Sequence, residues 1–185
     1  MTPSRVSLVL AVLTEKMRAH DSWAGETHLQ KAVYFLQAML GVPTGFRFTL
    51  YKYGPFSFDL RDKLSEMRSS GQLELLVQPA PYGPQLATGP GSSQLRKRFP
   101  KTLRSYDAQL EYIATRLGGL GVGALERLAT ALLVTEEASS ATVEERAEQL
   151  NAYKPHVRLE AARRAVEQVD AMLEEARERG LATTH

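Results

Sequence analysis

Two neighbouring stretches decide the fold: THLQKAVYFLQAML over residues 27–40 and FTLYKYGPFSFDL over residues 48–60. In the first stretch, apolar residues recur every three or four positions, which predicts a helix with one buried face. These residues are Leu29, Val33, Leu36 and Leu40. Apolar and polar residues alternate over residues 46–50, which predicts a short strand entering the second stretch.

Capping and turn residues mark the ends of these elements. Thr27, followed three positions later by Gln30, predicts a capping box at the start of the helix. The tripeptide at residues 53–55 predicts a turn, because glycine reaches backbone angles closed to other residues and proline fixes its own φ. Ser57 is a favoured N-cap, so we expect a further helix to begin there. Its buried face is predicted to contain Leu60, Leu64 and Met67.

Before and after these two stretches, the spacing of apolar residues mostly predicts helices. Residues 4–19 carry apolar side chains at helical spacing and predict a first helix. Residues 73–77 and 85–88 predict two strands, joined by a proline-rich turn that cannot be helical. After residue 92 the apolar spacing predicts further helices, and the last of them has a heptad-like stripe. That stripe consists of Leu159, Ala162, Val166, Val169, Leu173 and Ala176.

This order of elements predicts a mostly α chain of the α+β class. Residues 1–91 are expected to form a winged-helix-like part with a small antiparallel sheet. The Gly-Pro-Gly-Ser segment at residues 89–92 is the best candidate boundary. Residues 92–185 are then a helical part packed on the first, so that the chain forms one compact unit. The apolar stripe of the last helix packs on the same chain or forms a seam with a second copy.

Composition narrows the class of protein. The chain has 43% hydrophobic residues, enough for a core, and no cysteine, which excludes disulfides and thiolate metal sites. No stretch approaches the roughly 20 apolar residues that a membrane span requires. We therefore expect a cytoplasmic protein.

Charge is distributed unevenly along the chain. Residues 1–105 contain 14 Lys and Arg against 7 Asp and Glu, whereas residues 106–185 contain 9 against 14. A basic half and an acidic half indicate two surfaces with different partners. The densest basic cluster is Arg96, Lys97, Arg98, Lys101 and Arg104. It is interpreted either as a nucleic-acid or acidic-protein contact, or as a solvated helix.

Signals for catalysis are poor. The four histidines lack the spacing of metal ligands; they are His20, His28, His156 and His185. Neighbouring acids at residues 136–137 and 144–145 point apart on helices, which is unsuitable for paired acid–base work. The glycines at residues 118–121 lack the Lys-Ser/Thr of a phosphate-binding loop. The sequence therefore predicts no catalytic centre, no metal site and no cofactor.

The best candidate for a binding surface lies in the two stretches quoted first. Lys31 and Tyr34 are three positions apart and share a helix face. Lys31 is interpreted either as a structural, snorkelling lysine or as one that meets an aromatic ring or a partner's carboxylate. Tyr34 is expected to be partly exposed, or else to bury its ring with its hydroxyl bonded. Together with Lys52, Tyr53 and Arg61 they form the predicted partner-binding surface.

The same stretches resemble a known family. Residues 27–36 resemble the Leu-Gln-Lys-x-Val-Tyr-x-Leu helix of YwgA-like proteins, and residues 51–57 resemble their Tyr-Gly-Pro-Tyr-Ser turn. Phe56 stands where the family often has another residue. The related Panacea group carries a similar Lys-x-x-Tyr helix and Tyr-Gly-Pro turn. The resemblance extends, more weakly, over most of residues 1–175.

This resemblance implies a binding role. YwgA-like proteins have no established chemistry, and Panacea relatives are antitoxins or adaptors that deliver a toxin to a protease, often in prophage or defence islands. We therefore expect a non-catalytic prokaryotic binding protein, antitoxin-like or an adaptor, that regulates a partner protein in a toxin–antitoxin or phage-defence system. The alternative is a winged-helix DNA-binding regulator. A homodimer is left open.

Overall fold

The computed structural model describes residues 1–182. Over that range the chain is mostly helical, as predicted. The helices are α1 (Pro3–Ala19), α2 (Glu26–Ala38), α3 (Phe58–Ser69), α4 (Ser92–Arg98), α5 (Pro100–Leu117), α6 (Val122–Glu137), α7 (Val143–Tyr153) and α8 (Leu159–Glu178). The strands are β1 (Thr49–Tyr51), β2 (Gly54–Phe56), β3 (Leu73–Leu76) and β4 (Gln85–Thr88).

Helix α2 lies at the centre of the molecule. It packs against α5, α6 and β2, and more lightly against α1 and α3. Every residue from His28 to Leu36 is buried, so the prediction of a single buried face was too narrow. Phe35 and Ala32 add buried apolar side chains outside the predicted stripe, and three polar side chains of the same helix, His28, Gln30 and Lys31, are buried as well.

The predicted capping box at the start of α2 is wrong. The helix begins at Glu26, and its N-cap residue Gly25 makes no side-chain cap. Gln30 is instead fully buried, and its amide pairs with the backbone of Ser57: Nε2 donates to the carbonyl at 2.9 Å, and Oε1 accepts from the N–H at 2.9 Å. The side chain thus satisfies two buried peptide groups and ties α2 to the start of α3. Ser57 is confirmed as the N-cap of α3, because its hydroxyl accepts from Leu60 N at 3.2 Å.

The two pairs of strands form separate two-stranded antiparallel sheets. In the first, Thr49 pairs with Phe56 and Tyr51 with Gly54. The predicted strand over residues 46–50 is confirmed only at its end, because the backbone of Phe46 pairs with the side chain of Gln37 instead of a strand. The second sheet joins β3 to β4, close to the predicted bounds.

The hydrophobic core is continuous across residues 89–92. Helix α1 packs on α4 and α5, and α2 packs on α5 and α6. The glycines of this segment allow a close crossing: a Cβ at Gly89 would lie 2.4 Å from the carbonyl oxygen of Gly71, and Gly91 N donates to the same oxygen at 2.8 Å. Residues 89–92 therefore pack closely against the backbone of Gly71, and the core continues on both sides of them.

Helix α8, the last helix, packs on α6 and α7. Its stripe residues Ala162, Val166, Val169 and Ala176 are fully buried, which confirms that the stripe packs on the same chain. Leu159 differs, since it begins the helix with about half of its surface exposed. Among residues 1–182, no helix has the length and apolar character of a membrane span.

Candidate protein-docking surface

The site is built on the β1–β2 hairpin, which lies directly on α6. Gly54 has φ +82, a conformation that L side chains rarely adopt, and a Cβ there would lie 3.0 Å from Thr130 Oγ1. Pro55 beside it is buried. Backbone angle and close approach both require glycine here. The predicted turn at residues 53–55 is confirmed only in part, because Lys52 and Tyr53 form the turn and Gly54 and Pro55 lie in β2.

Lys31 lies beneath this hairpin, with its side chain enclosed. It is 1% exposed, and its Nζ donates to the carbonyl oxygen of Pro55 at 2.8 Å. Burial lowers the pKa of Lys31 to about 8, although the nearby carboxylate of Glu126 opposes this effect. Lys31 is therefore structural, as the first interpretation held, but it does not snorkel, because its ammonium is buried and not in solvent. Its predicted place among the contact residues is corrected, because a side chain enclosed in this way cannot reach a partner.

Lys154, at the end of α7, also holds the hairpin. It is 5% exposed, and its Nζ donates to the carbonyl oxygens of Tyr51 at 2.9 Å and Lys52 at 2.5 Å. Its charge is balanced by buried Glu126, whose Oε1 lies 3.2 Å from Nζ without a well-aligned hydrogen bond. We call Lys31, Glu126 and Lys154 the lysine cluster. Sequence reasoning missed Lys154 as a residue of this site.

Above the lysine cluster, the hairpin and the start of α3 expose aromatic rings. Tyr51 is 56% exposed and Phe58 is 43% exposed. Their ring centroids are 5.7 Å apart, and Phe56 lies 5.7 Å from Tyr51 and 5.1 Å from Phe58. We call Tyr51, Phe56 and Phe58 the aromatic patch. A recess of about 250 Å³ opens beside Phe58. It is also lined by Arg47, Phe48, Thr49 and Asp59.

Three of the five predicted contact residues border the aromatic patch. The Arg61 guanidinium lies 5.2 Å from the Phe58 ring centroid. The Lys52 ammonium lies 5.2 Å from the ring of Tyr53, which is 48% exposed. Each cation lies over an aromatic face, which is an attractive geometry. The Arg61 guanidinium also pairs with the carboxylate of Asp62 at 3.0 Å, whereas Lys52 has no carboxylate at ion-pair distance within residues 1–182. Lys52, Tyr53 and Arg61 are exposed beside rings that the sequence analysis did not select, and their role in partner contact stays a prediction.

Tyr34 lies in the interior. It is buried, with its ring centroid 5.1 Å from that of Phe48, and its hydroxyl donates to the carboxylate of Glu136. Burial and this hydrogen bond raise the pKa of Tyr34 well above its ordinary value. The prediction that its ring would be buried with the hydroxyl bonded is confirmed. Like Lys31, it supports the surface from beneath.

The basic cluster predicted at residues 96–104 spans the end of α4 and the start of α5. Arg96 is paired with the carboxylate of Glu15 at 2.5 Å. Lys97, Arg98, Lys101 and Arg104 are exposed. Arg96 therefore differs from the other four, since its charge is already balanced within the chain.

The histidines lie far from this surface, apart from His156 near Glu126. His20 Nε2 lies 2.6 Å from Glu111 Oε1, His28 is buried, and His156 Nε2 lies 3.6 Å from Glu126 Oε1. His185 falls outside the described residues. Within residues 1–182, no three His, Asp or Glu side chains come together in a way that could hold a metal ion.

No protein-family model matches the sequence, and no curated protein matches it. The resemblance to YwgA-like and Panacea proteins remains a prediction that rests on the two motifs quoted above.

Proposed function

We propose that this chain is a non-catalytic binding protein that docks another protein on the aromatic patch. The observation that carries the proposal is a group of three packed rings, two exposed and one half-buried, on the hairpin and the start of α3, with the hairpin fixed from beneath by Lys31 and Lys154. Following the family resemblance, the partner is a toxin or defence effector. The chain acts as its antitoxin or as an adaptor, by covering it or presenting it to another protein.

Two physical arguments support a protein partner. Aromatic residues and arginine supply most of the binding free energy at protein interfaces, because they bury large areas with few rotatable bonds. Tyr51, Phe58 and Arg61 match this composition. In addition, the lysine cluster fixes the hairpin before any partner arrives, which reduces the conformational entropy lost on binding.

The experiment is co-expression with the product of the adjacent gene, followed by size-exclusion chromatography and a growth assay. The wild-type chain should form a complex and relieve any toxicity of that product. Tyr51→Ala/Phe58→Ala should weaken the complex about 30-fold or more, since truncation of a central aromatic residue costs about 2 kcal/mol or more. Val77→Ala removes an exposed apolar side chain away from the patch and serves as the control. If the wild-type protein forms no complex and relieves no toxicity, the proposal fails.

A winged-helix DNA-binding regulator is the second candidate. It is supported by the β3–β4 hairpin, which follows α3 directly as a wing follows a recognition helix. The exposed acids of α3 weigh against it, because Asp59, Asp62 and Glu66 would repel phosphates. If α3 reads a DNA groove, Arg61→Glu/Arg68→Glu should abolish sequence-specific duplex binding. Retention of that binding would exclude the recognition-helix role.

A further inference from the structure

The junction of α4 and α5 brings together five exposed basic residues from three helices. Helix α1 contributes one of them, and the other four lie at the end of α4 and in the first turns of α5. We call these residues the basic elbow: Arg5, Lys97, Arg98, Lys101 and Arg104. Within residues 1–182 none of them has a carboxylate at ion-pair distance, whereas neighbouring Arg96 is neutralised by Glu15.

Two of these cations share one aromatic ring. The Arg5 guanidinium lies 5.9 Å from the ring centroid of Phe99, and that of Arg98 lies 5.3 Å from it. Both guanidiniums therefore contact the same ring, neither has a carboxylate at ion-pair distance within residues 1–182, and like charges repel each other. A bound anion would reduce this repulsion. The sequence analysis missed Arg5, because it lies more than ninety positions from the cluster and is brought there by the packing of α1 on α4.

The start of α5 adds to the same positive field. Pro100 occupies its first turn, no side chain caps the helix, and the first turn contains no acid. Its first helical hydrogen bond joins Leu103 N to Phe99 O at 3.2 Å, so the preceding amides of Lys101 and Thr102 are left without carbonyl partners. The positive end of the helix dipole therefore points toward the five cations.

We propose that the basic elbow binds the phosphate backbone of duplex nucleic acid, independently of base sequence. Charges spread over three helices suit a polyanion better than a single small anion. Lys101 and Arg104 are three positions apart and can follow one strand. The Phe99 ring is already in contact with two guanidiniums, which compete with a base for it, so the expected contacts are to phosphates. This site requires neither the aromatic patch nor insertion of α3 into a groove.

The test is fluorescence anisotropy with two labelled 30-base-pair duplexes of unrelated sequence. Both should bind with equal affinity. If five phosphates are neutralised, log K falls with log salt at a slope of about −4.5, so that raising the salt from about 50 to about 200 mM weakens binding about 500-fold. A difference between the duplexes greater than about tenfold would overturn the sequence-independent assignment.

Charge reversal locates the site. Arg98→Glu/Lys101→Glu should weaken duplex binding at least tenfold and reduce the slope to about −2.7, because two phosphate contacts are lost. The neutral pair Lys97→Gln/Arg104→Gln should reduce the slope similarly and guards against an effect of the introduced acids. Arg158→Glu/Arg177→Glu makes the same change in net charge on α8 and should leave the slope unchanged. The proposal fails if the duplex is not bound, if all three variants behave alike, or if phosphatidylserine vesicles are bound and the duplex is not.

Discussion

At the scale of single residues, the site depends on buried side chains that form hydrogen bonds with peptide groups of the backbone. Gln30 pairs with the N–H and carbonyl of Ser57, Lys31 donates to the carbonyl of Pro55, and Lys154 donates to those of Tyr51 and Lys52. Each satisfies a peptide group in or next to the β1–β2 hairpin. Burying these polar side chains is therefore compensated by hydrogen bonds that fix the hairpin.

Gly54 is the residue at which substitution should be most damaging in the hairpin. Gly54→Ala combines strain at a positive φ with a Cβ 3.0 Å from Thr130 Oγ1, and we expect a loss of about 2–4 kcal/mol of unfolding free energy. Gly45→Ala is the matched control, because it has φ +80 and open space around the new Cβ. Denaturant unfolding measures both variants. Equal losses would show that the contact with α6 has no energetic consequence.

Lys31 should make stability depend on pH in the alkaline range. Its pKa is lowered to about 8 in the folded protein from 10.5, so between these values the unfolded chain binds more protons. This group's contribution to stability therefore rises as the pH increases from about 8 to about 10.5, by up to about 3 kcal/mol. The difference between wild type and Lys31→Met across this range isolates the effect. A difference that is flat with pH would show that Lys31 titrates normally.

At the scale of elements, the β1–β2 hairpin is held by contacts from distant parts of the chain. Lys154 follows Tyr51 by 103 positions and Lys52 by 102. The hairpin alone is too short to be stable in water, since isolated two-stranded hairpins are marginal. Its conformation, and with it the placing of the aromatic patch, is therefore set by α2, α6 and the end of α7.

Removal of the Lys154 ammonium should loosen the hairpin before the rest of the molecule. Lys154→Met loses two charge-assisted hydrogen bonds and leaves Glu126 without its lysine partner, and each such bond contributes about 1.5–3 kcal/mol. Native-state trypsin cleavage after exposed Lys52 should accelerate about tenfold or more. Cleavage after Lys97, on α4, is the internal control. An equal acceleration at both positions would indicate global destabilisation.

The elements that could be predicted from the sequence are those determined by local pattern. Apolar spacing located α1 and the buried face of α3, and Ser57 identified the start of α3 because an N-cap acts within three residues. The predictions that the structure overturned all involve a partner that lies outside the local sequence pattern. Thr27 and Gln30 matched a capping pattern, but Gln30 pairs 27 positions away. Phe46 matched a strand pattern, but Gln37 satisfies its backbone. Likewise Lys31 and Tyr34 could be placed on one helix face, although their burial depends on α6.

At the scale of the whole molecule, a single core joins both halves of the chain. Ile113 on α5 is fully buried in the same hydrophobic cluster as Leu13 on α1 and Phe35 on α2. Because α2 is buried on all sides, and α5 and α6 cover part of it, residues 1–91 lack a complete core of their own. Folding of the docking surface should therefore be inseparable from folding of the later helices.

Calorimetry of the full chain tests this coupling. We expect one unfolding transition, and Ile113→Ala should lower its midpoint without splitting it, because the loss of about 2–4 kcal/mol from a buried cavity affects the whole core. An exposed position on the same helix provides the control, since Thr115→Ala removes no buried group. Two resolved transitions would indicate that the segments before and after residue 91 fold independently.

The central claim is that the aromatic patch docks a partner protein, and its most direct test is the dissociation constant of that partner. Isothermal titration with the purified product of the adjacent gene should yield a saturable complex for wild type, and affinity about 30-fold weaker or worse for Tyr51→Ala/Phe58→Ala. Val77→Ala should bind as wild type does. Equal affinity of wild type and the double variant, with both correctly folded, would contradict the account.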